Sequence, residues 1–171
     1  MTAAPKTILF VSDHLHIYEG VITHLKVLGC NVIQAEDAIL AEEEIKKLAK
    51  TNVKVDAIVT DIHMGGNFQY PGSESGLALA KKLRSGEIVP YGNDIYLIAS
   101  TADPSFHNRP EAKLFSKVTG MDNGKWLLSL LTEALDNLAP PPAREAADHS
   151  GRLLSSQPET SIATNDRIGG W

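Results

Sequence analysis

The sequence predicts an α/β fold with a doubly wound, five-stranded parallel sheet. Two observations predict it. Short apolar runs alternate with helical patterns along most of the chain, and the runs are apolar at consecutive positions rather than at every second one. A strand that is apolar on both faces is covered on both faces, as in a parallel sheet with helices on each side.

Five short runs rich in strand-forming residues predict the strands. They cover residues 7–11, 31–34, 55–62, 95–100 and 113–118. The first is TILFV and the fourth is IYLIAS. Runs of this length that are bounded by turn residues or helical patterns are typical of buried strands.

Helical patterns follow the first, second, third and fifth strands. The first helix lies within residues 14–28 and its apolar face consists of Ile17, Val21, Leu25 and Leu28. Gly29 is placed to end that helix, and Asp37 is placed to cap the second. The third helix ends near residues 84–86. Asp122 can cap the last helix, and we expect Trp126 on its buried face.

The fourth crossover is predicted to be short or irregular. Only TADPSFHNRPEA separates the fourth and fifth runs. Asp103 and Pro104 can start a helix there, but Pro110 would stop it after about one and a half turns. The usual helix between these strands is therefore not expected.

Residues 1–139 form the predicted domain, and we expect residues 140–171 to be a disordered, proline-containing tail. Three consecutive prolines at positions 140–142 end the last helix. The residues that follow are polar and lack a sustained period, which is typical of segments that bury little apolar surface. Residues 64–76 are polar and contain glycines, so they predict a long loop.

Composition excludes several classes of protein. The 171 residues are 43% hydrophobic, enough for a core, and the formal net charge is -5, a poor match to nucleic acid. Cys30 is the only cysteine, which excludes a disulfide within the chain and a CxxC zinc site. Neither a signal-peptide core nor a membrane span is visible. We therefore expect a cytoplasmic protein without a membrane partner.

Polar side chains stand where the predicted strands end. These residues are Ser12 and Asp13, Asp61, Ser100 and Thr101, and Lys117. Parallel strands bring their carboxyl ends to one edge of the sheet, where ligands bind. Two carboxylates there suit Mg²⁺, and an ammonium group would offset their repulsion or bind a phosphoryl group. The pattern leaves open whether Ser100 or Thr101 supplies a hydroxyl.

The segments ILFVSDH, IVTDIHM, SGLALAKKLR, IYLIAST and LFSKVTG follow one another in this order. Together they resemble the receiver domain of bacterial two-component response regulators, the fold of the single-domain chemotaxis regulator. The resemblance covers about residues 6–139. It implies a flavodoxin-like receiver fold with the ligand site at the carboxyl ends of the strands.

The resemblance also implies a role for each candidate residue. Asp61 would be the phospho-acceptor. Asp13, Asp61 and the backbone carbonyl of His63 would hold Mg²⁺. Ser100 would donate a hydrogen bond to the phosphoryl group, and Lys117 would pair with it. No organic cofactor is expected, since the sequence contains neither a G-x-G-x-x-G nor a P-loop pattern.

The implied function is phosphorelay signalling rather than enzymatic catalysis. A sensor histidine kinase or a phosphotransfer protein would phosphorylate the chain, which would then signal by contact with an unidentified protein. The alternative is a receiver-like module that binds partners without phosphorylation. Three features favour the alternative: Ser12 stands in place of the first of two acids, Val118 stands in place of the proline after the lysine, and the fourth crossover is short. A further departure is Gly65, in place of the proline after DxxM.

Overall fold

The computed structural model of the chain describes residues 4–65, 72–121 and 124–138. The strands are β1 (Thr7–Val11), β2 (Asn31–Ala35), β3 (Ala57–Asp61), β4 (Tyr96–Thr101) and β5 (Lys117–Gly120). The α-helices are α1 (Glu19–Val27), α2 (Ala38–Lys50), α3 (Ser75–Arg84) and α4 (Gly124–Leu138). The predicted tail, the proposed cap at Asp122 and the middle of the predicted 64–76 loop lie outside the described residues. The boundary at residue 139 stays a prediction.

The five strands form one parallel sheet in the order β2-β1-β3-β4-β5. Apolar side chains of α1 and α4 pack on one face, and those of α2 and α3 pack on the other. Strands β1, β3 and β4 are buried at almost every position because helices cover both of their faces. The predicted doubly wound parallel sheet is confirmed.

The ends of the first two helices follow from local sequence. Gly29, two residues after the end of α1, adopts a φ of +83°, a conformation that costs glycine little. The turn is closed by the Cys30 amide, which donates to the Leu25 carbonyl at 3.0 Å. Asp37 caps α2, since its Oδ1 accepts from the Leu40 amide at 2.8 Å.

The start of the first helical segment departs from the expected face. Residues Leu15–Tyr18 form a 3₁₀ turn before α1 begins, and a 3₁₀ turn has three residues per turn rather than 3.6. The change of phase buries Tyr18 and leaves Ile17 39% exposed. Leu28 follows the end of α1 and is 56% exposed. The prediction that Ile17 and Leu28 face the core is wrong.

The fourth crossover consists of two 3₁₀ turns, Pro104–Asn108 and Pro110–Leu114. Each begins with a proline, whose fixed φ suits a first helical position. Phe106 and Phe115 are buried, and their rings meet edge to face with centroids 5.8 Å apart. The prediction of a short, irregular fourth crossover is confirmed.

The fifth strand was predicted too early in the chain. Residues 113–118 were expected to form it, but Lys113 and Leu114 end the second 3₁₀ turn and the strand runs over Lys117–Gly120. Phe115 is 7% exposed because it packs against the crossover rather than in the sheet. The ladder with β4 begins where Lys117 pairs with Ile98.

The buried face of helix α4 differs from the predicted one in the first turn of the helix. Its buried residues are Leu127, Leu130, Leu131 and Ala134. Trp126 precedes this face by one position, about 100° around the helix, and it is 52% exposed. The prediction of Trp126 as a core residue is wrong. Within the described ranges, neither α4 nor any other helix is long and apolar enough to cross a bilayer.

Candidate functional site

Four side chains form a row at the carboxyl edge of the sheet. Asp61 pairs with Ser100, and Ser100 pairs with Thr119. The register between β1 and β3 places Ser12 on the other side of Asp61. Paired residues of parallel strands point to the same face, here the face of α1 and α4, to which Phe10 also belongs. All four side chains in the row are buried.

Asp61 is a buried carboxylate, since the residue is only 2% exposed. Burial raises its pKa above the ordinary value of 3.8, and the neighbouring charge of Asp13 raises it further. The backbone amide of His63 donates to Oδ1 at 3.0 Å and lowers the pKa, as do the imidazoles of His63 and His14. The desolvation of Asp61 is the largest of these effects.

This raised pKa predicts a pH-dependent cost to the fold. The folded state binds more protons than the unfolded state between pH 3.8 and the folded pKa, so Asp61 lowers stability as pH rises through that window. Asp61→Asn should therefore be more stable than the wild type at pH 7, and the difference should shrink towards pH 4.

Urea unfolding in metal-free buffer measures this prediction at both pH values. Asp136→Asn removes an exposed carboxylate from α4 and serves as the control, with little change expected at either pH. An Asp61→Asn difference that is the same at pH 4 and pH 7 would contradict the argument.

Asp61 and two neighbouring side chains form a group that suits a divalent cation. Asp13, His14 and Asp61 each place one ligand atom so that all three lie within 4.8 Å of one another. His14 Nδ1 lies 2.7 Å from Asp13 Oδ1, so this ring is also a hydrogen-bond partner of the carboxylate. Two carboxylate oxygens fit Mg²⁺, which keeps several of its waters. The carbonyl of His63 as a further ligand stays a prediction.

The two hydroxyl candidates at the end of β4 occupy different positions. Ser100 lies in register with Asp61. The Thr101 hydroxyl accepts from the Asp103 amide at 3.1 Å and lies 3.4 Å from His63 Nδ1. Ser100 is therefore the hydroxyl beside Asp61, and its contact with a phosphoryl group stays a prediction.

Lys117 does not lie at the carboxyl edge. It is the first residue of β5 and is exposed, whereas the expectation placed it at the end of that strand. It pairs with Ile98, two residues before Ser100, which is about 6–7 Å along the strand. The expected position was wrong because the strand begins later in the chain. Thr119 occupies the place in register with Ser100 instead.

The row consequently carries fewer charges than the resemblance implies. Ser12 stands where a second acid was expected, and Thr119 stands where a lysine was expected. One negative and one positive group are absent from the row together. Because an unpaired charge is costly in a buried site, the two departures offset each other.

A polar chain that sequence reasoning missed leads away from His63. His63 Nε2 lies 3.7 Å from Glu74 Oε1. Glu74 in turn accepts two hydrogen bonds from Arg109, one of them at 3.1 Å. The Arg109 guanidinium lowers the pKa of the Glu74 carboxyl. No local pattern could have revealed this pair, since the two residues are 35 positions apart.

Tyr18 is the second residue that sequence reasoning missed. It is 2% exposed and its hydroxyl donates to Ser100 Oγ at 2.9 Å. Burial raises the pKa of the phenol, the Ser100 and Ser12 hydroxyls lower it, and the charges of Asp61 and Asp13 raise it. The phenol therefore lies among the row residues. The available signal was a tyrosine close after a strand-terminal acid, which is weak by itself.

Comparison with known proteins gives structural matches alone. No protein-family model and no curated protein matches the chain. A response regulator from Desulfuromonas acetoxidans superposes with a TM-score of 0.60 at 21% identity, covering 78% of this chain and 99% of that one. A CheY-like receiver domain from Methanospirillum hungatei gives 0.59 at 21% identity, covering 78% and 96%.

A third match carries a ligand. The response regulator TrrA from Thermotoga maritima, solved in complex with Mg²⁺ and BeF, gives a TM-score of 0.56 at 21% identity, covering 78% of this chain and 99% of that one. At such identities the likeness establishes the fold, and its strand order agrees with the parallel sheet described above. The chain has the fold of the response-regulator receiver domains.

Proposed function

We propose that this chain is the receiver of a phosphorelay and that Asp61 accepts the phosphoryl group. Asp13, Asp61 and the His63 carbonyl would hold Mg²⁺. The observation that carries the proposal is the convergence of the Asp13 and Asp61 ligand atoms beside a hydroxyl, Ser100, that is in register with Asp61. A carboxylate nucleophile, ligands for a divalent cation and a hydroxyl donor are groups that assist phosphoryl transfer to a carboxylate.

The phosphoryl donor is a phosphohistidine of a sensor histidine kinase or of a phosphotransfer protein. One oxygen of the Asp61 carboxylate forms a P–O bond while the P–N bond of the donor breaks, and the departing imidazole takes up a proton. The Ser100 hydroxyl donates to a phosphoryl oxygen. When bound, Mg²⁺ offsets the negative charge of the carboxylates and the phosphoryl group.

The phosphorylated protein passes its state on by contact with another protein in the cytoplasm. A net charge of -5 gives it no general attraction to nucleic acid. The Thermotoga maritima match was solved with Mg²⁺ and BeF, and another from Burkholderia pseudomallei has a phosphorylated aspartic acid and a calcium ion. Both support a divalent cation in this fold, and the second also supports a phosphorylated aspartate.

Asp61→Asn is expected to abolish phosphorylation. An amide oxygen is a far weaker nucleophile than a carboxylate, so the variant should gain no mass from acetyl phosphate with Mg²⁺. The wild type should gain one phosphoryl group under the same conditions. Beryllofluoride should likewise shift the amide NMR signals around β3 and β4 only in the wild type.

Matched variants make that result specific. Asp94→Asn removes an exposed carboxylate at the opposite end of the sheet and should react like the wild type. Asp13→Asn should still fold but should need more Mg²⁺. A wild type that gains no mass and shows no beryllofluoride-dependent shift at any Mg²⁺ concentration would refute phosphorylation at Asp61.

The second candidate function is a module that binds its partner without phosphorylation. Two observations favour it: Lys117 begins β5 rather than ending it, and Asp61 is only 2% exposed. In that case Asp61→Asn would leave partner binding unchanged while beryllofluoride would have no effect. The experiment above thus separates the two candidates.

A further inference from the structure

The Tyr18 hydroxyl is fixed within the candidate site from two sides. Its ring packs against Phe10, with centroids 5.5 Å apart and an interplanar angle of 46°. Tyr18 itself is the last residue of the Leu15–Tyr18 turn, directly before α1. The hydroxyl then donates to Ser100 Oγ at 2.9 Å. A buried phenol held at both ends has little freedom to rotate away.

This hydrogen bond decides what the Ser100 hydroxyl can do. A serine hydroxyl has one proton to donate and two lone pairs to accept with. Because Tyr18 donates to Ser100 Oγ, one lone pair is occupied and the Ser100 proton remains to be donated elsewhere. Asp61 is its register partner on β3, and an anionic acceptor takes a stronger hydrogen bond than a neutral one.

The tyrosine suits this site because it stays neutral. Its pKa is raised, chiefly by burial, so the phenol keeps its proton at neutral pH and remains a donor. A lysine in the same place would add a positive charge to the row, where Ser12 stands in place of an acid that could have balanced it. A neutral donor avoids the cost of an uncompensated buried charge.

We propose that Tyr18 is a positioning residue, which holds the Ser100 hydroxyl so that its proton is directed to Asp61 and to a group bound there. The expected consequence is tighter binding of a phosphoryl group at Asp61, and this consequence rests on the proposed function. Two observations behind the inference do not depend on that function: the hydrogen bond from Tyr18 to Ser100 and the register of Ser100 with Asp61.

Beryllofluoride titration with Mg²⁺ tests the consequence. Tyr18→Phe keeps the ring against Phe10 and removes only the hydroxyl, and it should weaken beryllofluoride binding by about 5- to 30-fold, the effect of a hydrogen bond that contributes 1–2 kcal/mol. Tyr96→Phe is the control, because it removes a partly buried phenol from the opposite end of the same strand as Ser100. It should bind within about twofold of the wild type.

A double-mutant cycle separates positioning from a general effect on structure. If Tyr18 acts through Ser100, Tyr18→Phe should cause less than about a twofold further loss when Ser100 is already alanine. Equal losses in the two backgrounds would overturn the inference, as would wild-type affinity in Tyr18→Phe alone. Urea unfolding of each variant would show whether it remains folded at the temperature of the titration.

An NMR measurement tests the geometry without any bound anion. The Ser100 hydroxyl proton should show a nuclear Overhauser contact to the Asp61 β-protons in the wild type, and the contact should be lost in Tyr18→Phe. If the wild type binds no beryllofluoride, the proposed function fails and this contact alone decides the inference. A contact that persists in Tyr18→Phe would overturn it.

Discussion

Gly76→Ala is expected to lower the free energy of unfolding by about 3 kcal/mol, an overpacking cost at the upper end of the usual range. Gly76 is the second residue of α3, and a Cβ there would lie 1.8 Å from the Asp61 carbonyl oxygen and 2.8 Å from Thr60 Oγ1. The first obstacle is backbone, so no change of rotamer can remove it. Helix α3 would have to move away from the end of β3.

The same movement should disturb the candidate site. The atom that the new Cβ would strike is the backbone carbonyl oxygen of Asp61. Displacement of α3 or of the end of β3 would therefore change the position of the Asp61 carboxylate. We therefore expect Gly76→Ala to weaken beryllofluoride binding even at temperatures where the variant is fully folded. Chemical unfolding and the titration described above measure the two effects separately.

Gly20→Ala is the matched control for Gly76→Ala. Gly20 also lies early in a helix, α1, but a Cβ there would meet no atom within 4 Å. Alanine is the better helix former by up to about 1 kcal/mol, so this variant should be as stable as the wild type or slightly more stable. Equal stability of the two variants would show that the close approach of α3 to Asp61 is not as described.

Most of the fold could be predicted because its signals are local. Strands apolar at consecutive positions, a cap at Asp37 and a left-handed glycine at position 29 each depend on a few neighbouring residues. The prediction of the fifth strand failed because its apolar residues suit a strand and a 3₁₀ turn equally. Leu114 and Phe115 pack in and beside a 3₁₀ turn instead of the sheet, a choice that depends on Phe106 from a different turn.

The candidate site was predictable only where a residue's place follows from the end of its strand. Asp61 and Ser100 come directly from that rule, and the structure sets them in register. The predicted position of Lys117 was wrong because it was based on the predicted bounds of the fifth strand. Tyr18 could not be placed at all, since its burial results from a 3₁₀ turn that changes the phase of the first helical segment.

Arg84→Met is expected to lower the free energy of unfolding by about 3 kcal/mol. Arg84 ends α3, and its guanidinium donates to backbone carbonyls in two other segments. Nε donates to Leu114 at 2.8 Å, and Nη1 faces the carbonyls of Gly92, Asn93 and Ile95 at 2.9–3.0 Å. Hydrogen bonds to a charged donor contribute about 1.5–3 kcal/mol each, and losing them leaves partly buried carbonyls without a donor.

This side chain matters because the fourth crossover lacks a helix of its own. Two 3₁₀ turns satisfy few of their own carbonyls, and Arg84 fixes the end of the second turn to α3 and to the start of β4. Arg84→Lys should recover only part of the loss, because one compact ammonium cannot reach carbonyls that lie in such different directions.

Lys81→Met is the control, because it removes an exposed charge from the same helix. It should change stability by less than about 0.5 kcal/mol. Urea unfolding ranks the four proteins, and amide exchange should quicken at residues 92–97 and 114–118 in Arg84→Met. If Arg84→Lys matched the wild type, charge rather than the planar guanidinium would hold this end of the sheet together.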